Sequence, residues 1–392
     1  MFIPFCRHSV AEDEATAVLD ALHSDWLTTG PKTREFERDF ANYIGVQHAV
    51  ALNSCTAALH LALLAHGVSP GDEVITTPLT FCATAEAIEY CGAHPVFVDV
   101  DPGSFNIDAN LIEASISART RCILPVHYGG IPCELEAIYR IADRHNLLVI
   151  EDAAHALGSR YHNEIIGSFG KPACFSFYAT KNITTGEGGM VTLNDSETAE
   201  KIKLLGLHGM SKDAWRRYSK HGTWRYEINE LGYKYNMPDM QAALGICQLK
   251  KLETFNSIRQ KRAKMYFEIL RECEEVSMPA WYDDYFLRLI HSGTLNSWHL
   301  FVILLNEDRV TINRDRLIEE LKEQGIGTSV HFIPLHLQPY YARKYGFRRG
   351  RYPVAESIFE RVVSLPIYPR LTEQDILFIT ERLQKILCKH RK

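Results

Sequence analysis

Leu147-Leu148-Val149-Ile150-Glu151-Asp152-Ala153-Ala154-His155-Ala156 is the stretch from which the rest of the chain can be read. An apolar run passes directly into two carboxylates, and a histidine follows. A short apolar run with β-branched members is the pattern of a strand buried on both faces. A charge at the end of such a strand is costly unless something pairs with it. Two readings stay open on spacing alone. Asp152 caps the helix that follows, or it serves a ligand.

Outward from this stretch, short apolar runs recur at 49–52, 73–76, 95–100, 122–126, 173–178 and 190–193. Between them lie segments with helical periodicity, such as 55–66, 80–91 and 134–145. Counting 147–150, this alternation predicts an α/β fold with a mostly parallel, seven-stranded sheet covered by helices on both faces. Ligands of such sheets lie beyond the carboxyl ends of the strands. Upstream, Ser9-Val10-Ala11-Glu12 reads as a capping box opening a helix to about residue 24. Thr28-Thr29-Gly30-Pro31 then breaks the chain before a second helix at 33–43. After Pro238 the pattern changes to one long helix at 239–273, a strand at 297–305, a helix at 314–324, a strand at 327–332 and a closing helix at 373–387. This predicts a large domain over 1–250 and a smaller C-terminal α/β domain over 251–392.

The 392 residues are 46% apolar and 23% charged, with a formal net charge of -5. That balance points away from nucleic acid or an anionic membrane as the main partner. No apolar run approaches the roughly 18–20 residues that cross a bilayer, and the N-terminus lacks the pattern of a signal peptide. The 10 cysteines contain no C-x-x-C pair and give neither a disulfide nor a zinc framework, so no metal is expected. A reduced, cytoplasmic protein is the expectation.

Two further segments carry chemistry. Ala173-Cys174-Phe175-Ser176-Phe177-Tyr178-Ala179-Thr180-Lys181-Asn182 is a strand with a lysine just beyond its end, and Gly186-Glu187-Gly188-Gly189 feeds the next strand. A lysine among low-dielectric walls can lose its proton and attack aldehydes; alone, it reads first as a solvated surface lysine, as most lysines are. Asn53-Ser54-Cys55-Thr56-Ala57-Ala58 opens a helix with small residues, which leaves backbone N–H groups for a phosphate or merely allows close packing. Together these segments supply what a pyridoxal-phosphate (PLP) enzyme needs: a lysine for the imine, an acid for the ring nitrogen and a phosphate cradle. Phe81 and His155 are candidates to cover the ring faces.

These residues resemble the DegT/DnrJ/EryC1/StrS family of PLP-dependent nucleotide-sugar aminotransferases. The resemblance runs through Trp26-to-Pro31, Ile150-to-His155, Phe175-to-Lys181, Gly186-to-Gly189, Leu231-to-Gly245 and, further on, Trp298-His299-Leu300-Phe301 and Ser364-Leu365-Pro366. It implies fold type I (aspartate-aminotransferase-like), a homodimer with shared active sites, and roles residue by residue. Lys181 would hold PLP as a Schiff base and shuttle the proton. Asp152 would pair with the pyridine nitrogen. Thr56 and Ala57 would give backbone N–H groups, and Ser176 its hydroxyl, to the phosphate. Within the family, His127-Tyr128, Lys181-Asn182-Ile183-Thr184 and Gly232-Tyr233-Lys234-Tyr235-Asn236 look closest to the branch making UDP-4-amino-4-deoxy-L-arabinose. Many members read Gly-Tyr-Asn-Tyr-Arg at the last motif, so both Lys234 and Asn236 are candidates to reach the phosphate of a neighbouring subunit. Thr29, Gly30, Arg225, His331 and Lys234 are the candidates for the sugar nucleotide. The implied reaction is ping-pong transamination of a keto sugar, at C4 in preference to C3, with an amino acid donor, glutamate foremost. A sugar dehydratase would carry histidine in place of Lys181. A cysteine desulfurase would need a mobile cysteine outside the motifs of Cys55 and Cys82. A non-catalytic regulator on this fold is expected to lack Lys181 or Asp152, and a Rossmann dehydrogenase to show G-x-G-x-x-G after its first strand.

Overall fold

The computed structural model describes residues 2–210 and 226–392. The apolar runs become strands β1 (His48–Leu52), β2 (Glu73–Thr76), β3 (His94–Phe97), β4 (Thr120–Ile123), β5 (Leu148–Val149, resuming as Glu151–Asp152), β6 (Ala173–Ser176) and β7 (Gly189–Leu193). β5 joins the two halves of the sheet: its first residues pair with Cys122 and Ile123 of β4, its last with Ala173 and Cys174 of β6. The interruption at Ile150 is bridged by its N–H, which donates to Ile123 at 3.1 Å. The strand order is therefore β1-β7-β6-β5-β4-β2-β3, joined by these bonds and by the bridge between Val126 and Asp152. Only β7 runs antiparallel to its neighbours.

The period-2 alternation of strand side chains sends residues to two cores. The helices that meet them are α1 (Glu12–His23), α2 (Pro31–Ile44), α3 (Cys55–Ala65), α4 (Cys82–Tyr90), α5 (Leu135–His145), α6 (Ser196–Leu205) and α7 (Asp239–Leu270). Ile75, Ile123, Val149, Phe175 and Met190 pack against Phe36 and Phe40 of α2, Ile138 and Ala142 of α5, and the first half of α7. Their sequence neighbours Val74, Cys122, Ile150, Cys174 and Val191 pack against α3, α4 and α6. α3 is apolar around its whole circumference, which is why it lies buried rather than on the surface.

The second half of α7 enters a third core with strands β8 (Val276–Ser277), β9 (Phe301–Leu305) and β10 (Val362–Leu365), an antiparallel sheet in the order β8-β9-β10. Helices α8 (Arg314–Glu323), α9 (Pro353–Arg361) and α10 (Glu373–Lys389) complete this unit. The two units are tied by side chains as well as by α7. Asp99, just after β3, accepts from the backbone N–H groups of Val354 and Ala355 at 2.9 Å each, capping α9 from the opposite unit.

Three sequence expectations are corrected. α1 begins at Glu12, not Ser9: Glu14 reaches back to the Ala11 N–H at 2.8 Å, while the Ser9 carbonyl accepts from Gln248 at 2.9 Å. The strand expected over 297–305 starts only at Phe301, because the Asn296 side chain accepts the Trp298 N–H at 2.7 Å and holds Trp298 at a φ of 50°. The segment 327–332 is not a ladder strand. It makes one isolated bridge, Ser329 to Ser364, and then turns inward to carry His331 and Phe332 to a cavity.

Candidate active site

A cavity of about 500 Å³ opens beyond the carboxyl ends of β5 and β6, with the N-terminus of α3 on one side and His299, His331 and Phe332 of the smaller unit on the other. Among the described residues, Lys181 is the one lysine or arginine lining it, and Asp152 and Glu187 the two carboxylates.

Alternation along β5 sends Glu151 and Asp152 to opposite faces. Glu151, fully buried like His127, points away from the cavity, accepts from the hydroxyl of half-buried Tyr139 and meets His127 Nε2 at 3.0 Å. His127 Nδ1 faces the Cys133 N–H at 3.0 Å and must accept there, so Nε2 carries the proton toward Glu151. This cluster fixes the end of β5 and thereby the position of Asp152. Asp152 faces the cavity. Thr84 Oγ1 of α4 donates to its Oδ2 at 2.8 Å, and the Ala154 N–H donates to its Oδ1 at 3.2 Å. Burial raises its affinity for a proton, opposed by these two donors and by the positive charge of Lys181.

Lys181 sits in the turn after β6, its N–H bonded to the Tyr178 carbonyl at 2.9 Å. The turn is held from behind. Asn182 donates to Asn256 and to the Ser297 carbonyl at 2.7 Å each, and Thr184 Oγ1 donates to the Phe177 carbonyl at 3.0 Å. Burial lowers the Lys181 ammonium to about 8, with Asp152 among the groups opposing that shift. The neutral, nucleophilic amine is therefore available near neutral pH.

The start of α3 closes the phosphate side. Ser54 is its N-cap and accepts the Ala57 N–H at 3.1 Å, so the Ala57 amide named from sequence is already engaged. The first amides of the helix, those of Cys55 and Thr56, have no intrahelical acceptor. Ser176 faces the same cavity. β7 has to pass this helix end closely: a Cβ on Gly189 would lie 2.4 Å from the Ser54 carbonyl. His155 Nδ1 accepts from the Gly129 N–H at 3.2 Å, and its ring stacks near Phe332 and His299, with centroids 5.9 and 4.3 Å away. Burial pushes His155 and His299 far below the ordinary histidine range and His331 down to about 3, so all three imidazoles are neutral. Phe81, at the start of α4, lies at the mouth and is 59% exposed.

The structure thus brings Lys181, Asp152, Thr56, Ser176, Phe81, His155 and His331 around one cavity. It does not bring Thr29, Gly30, Lys234 or Asn236 there. Asn236 donates to Thr29 at 2.7 Å and accepts from Lys234 at 2.7 Å; Thr29 and Asn236 line a separate cavity of about 670 Å³. Gly30 is explained by packing: its N–H caps onto Asp239 at 2.7 Å, and a Cβ would lie 2.1 Å from Trp26. Arg225 lies outside the described residues. Sequence reasoning missed Thr80 and Thr84, which look like ordinary helix-start threonines, and Phe5 and Phe332, which read as plain apolar residues. His299 sat inside a quoted motif without a role.

The donor set fits PLP. A half-buried lysine with a lowered ammonium pKa, a buried carboxylate across the cavity, a hydroxyl and a helix N-terminus are the groups its aldehyde, ring nitrogen and phosphate require.

Comparison with known proteins points the same way. The sequence profile of the DegT/DnrJ/EryC1/StrS aminotransferase family matches residues 8–384. The spore coat polysaccharide biosynthesis protein SpsC of Bacillus subtilis is 45% identical over 387 residues, covering 98% of this chain and 97% of SpsC. Among solved structures, Streptococcus pneumoniae Spr1654 in its PMP form superposes with a TM-score of 0.91 at 33% identity over 99% of each chain, and a PLP form of it is also similar. PseC of Helicobacter pylori, an aminotransferase involved in the biosynthesis of pseudoaminic acid, gives 0.89 at 31% identity over 99% of this chain and 100% of its own.

Proposed function

The chain belongs to the DegT/DnrJ/EryC1/StrS aminotransferase family, PLP-dependent enzymes of fold type I, and we propose that it aminates a nucleotide-linked keto sugar at C4, with L-glutamate as donor. One observation carries the reading: a lysine with a lowered pKa and a buried carboxylate share the cavity at the carboxyl ends of β5 and β6. PLP, when bound, carries the amino group between donor and acceptor and draws electrons from the reacting carbon. Lys181 Nζ, able to exist as amine or ammonium near neutral pH, takes and returns the proton at that carbon. Asp152 presents a carboxylate to the ring nitrogen and favours its protonated form. Thr56 and Ser176 would hold its phosphate, and neutral His155 would offer it an aromatic wall. Phe5 and Phe332 make the wall apolar and help exclude water.

The sugar assignment is supported by what SpsC and PseC are named for, and the choice of C4 by Lys181-Asn182-Ile183-Thr184 and Gly232-Tyr233-Lys234-Tyr235-Asn236, which resemble the UDP-4-amino-4-deoxy-L-arabinose branch. The enzyme would work as a cytoplasmic homodimer. The ten cysteines are free thiols, as a reducing compartment favours. Thr29 and Asn236 line a cavity apart from their own chain's Lys181, which supports a role for them in a second copy's site.

The test is an absorbance spectrum of the PLP-loaded protein before and after L-glutamate. A band near ~410–420 nm collapsing toward ~330 nm reports transfer of the amino group to the cofactor. Keto-sugar nucleotides then follow, with the aminated carbon located by NMR. A folded protein with no such band defeats the reading, and amination at C3 replaces C4.

A further inference from the structure

The Asp152 carboxylate that faces the cavity is held by more than its own strand. Thr84, in the first turn of α4, is buried (1% exposed), and its Oγ1 lies 2.8 Å from Asp152 Oδ2. Thr80, also buried, lies just before the helix begins, with its Oγ1 2.8 Å from that of Thr84. Either hydroxyl could donate in that second bond, but the chemistry of the chain fixes the direction. An ionised carboxylate only accepts, so the single Thr84 proton goes to Asp152. Thr80 must then donate to Thr84. The relay runs Thr80 to Thr84 to Asp152. In the opposite direction Asp152 would have to be protonated, and the Thr80 hydrogen would have no acceptor among the described residues. A chain of aligned donors strengthens each link.

We propose that Thr84, oriented by Thr80, is a positioning residue that holds Asp152 as an in-place carboxylate for the ring nitrogen of PLP. The proposal rests on PLP being the cofactor and concerns residues to which no role was assigned above. A buried carboxylate would otherwise drift toward its neutral form, and a neutral acid cannot favour the ring nitrogen's positive charge. Other titratable groups face Asp152 as well: Lys181 from the turn after β6, His127 from the segment after β4, and the thiols of Cys55, Cys133 and Cys174, all three raised by burial and so uncharged. Of the two hydrogen bonds to its oxygens, the one from Thr84 is the shorter.

The test compares apo wild type with Thr84→Val, which keeps the shape and removes the hydroxyl, and Thr84→Ser, which keeps the hydroxyl. PLP affinity is measured by fluorescence titration across pH, beside the thermal midpoint of each apo protein. In Thr84→Val the Kd for PLP should rise about tenfold, ~1.4 kcal/mol. Because the lost bond favoured the ionised acid, the pH below which affinity falls should also move up, by about one unit. Thr84→Ser should return both toward wild type, and Thr80→Val should show a smaller shift in the same direction. A Thr84→Val protein with wild-type affinity and pH profile overturns the proposal. So does equal weakening in both Thr84 variants with an unmoved pH profile, which marks a packing effect. Failure of wild type itself to bind PLP removes the cofactor assignment and this inference together.

Discussion

Lys181 combines an amine with a cavity that keeps it partly unprotonated, and this sets a pH dependence. Burial lowers its ammonium to about 8, so the reactive amine grows as pH rises through that value. Capture of PLP by the apo protein should accelerate with pH up to about 8 and level off above it, as followed by stopped-flow absorbance. Lys181→Ala should show no such capture and lose amination by at least roughly 10³-fold, with its circular dichroism unchanged. A rate that is flat from pH 6 to 9 in the wild type removes Lys181 as the nucleophile. Lys181 and Asp152 were legible in the sequence only together and through the family resemblance, since each alone has an ordinary reading as a surface lysine or a helix cap. Thr84 and Glu151 were not. A threonine at a helix start and an acid next to another acid have ordinary explanations, and only the fold shows that one supports Asp152 while the other is anchored on the reverse face of β5 by His127 and Tyr139.

At the scale of elements, α2 and α7 are coupled by one carboxylate. Asp239, first residue of α7, accepts from the N–H groups of Gly30, Lys32 and Thr33 and from the Thr33 hydroxyl, at 2.7 to 3.0 Å. It thus caps α2 from another helix. Asp239→Ala strands several buried donors, and the expected cost is about 2 kcal/mol, at the top of the range for a lost cap. The urea unfolding midpoint should fall accordingly, and a loss under about 0.5 kcal/mol would mean water replaces the carboxylate. The seven large-sheet strands and helices α3 to α5 could be read from periodicity alone, whereas α6, with only Ala199, Ile202 and Leu205 buried, was not singled out. The smaller unit was less legible. Residues 327–332 have strand composition, but the adjacent edge is taken by Ile3, which exchanges backbone bonds of 2.8 Å with Gly325 and Gly327. A contact between residues more than 320 positions apart leaves no local signal.

At the scale of the molecule, the division expected after residue 250 falls inside α7, an uninterrupted helix of 32 residues. At 1.5 Å per residue it is about 48 Å long. Ala242, Ile246 and Leu252 belong to the core of the large sheet, whereas Ala263, Tyr266, Phe267 and Leu270 belong to that of the small one. Arg259, between them, is buried and donates to the carbonyls of Trp298 and Ile367 at 3.2 and 2.8 Å. Neither core can lose its order without releasing half of a helix that the other still grips. The two lobes should therefore melt as one cooperative unit, with a single calorimetric peak. The amides in the middle of α7 should be among the slowest in the chain to exchange with deuterium, opening only when everything opens. Two resolved transitions, or fast exchange near Arg259, would show instead that the helix parts at its centre and lets the lobes come and go independently.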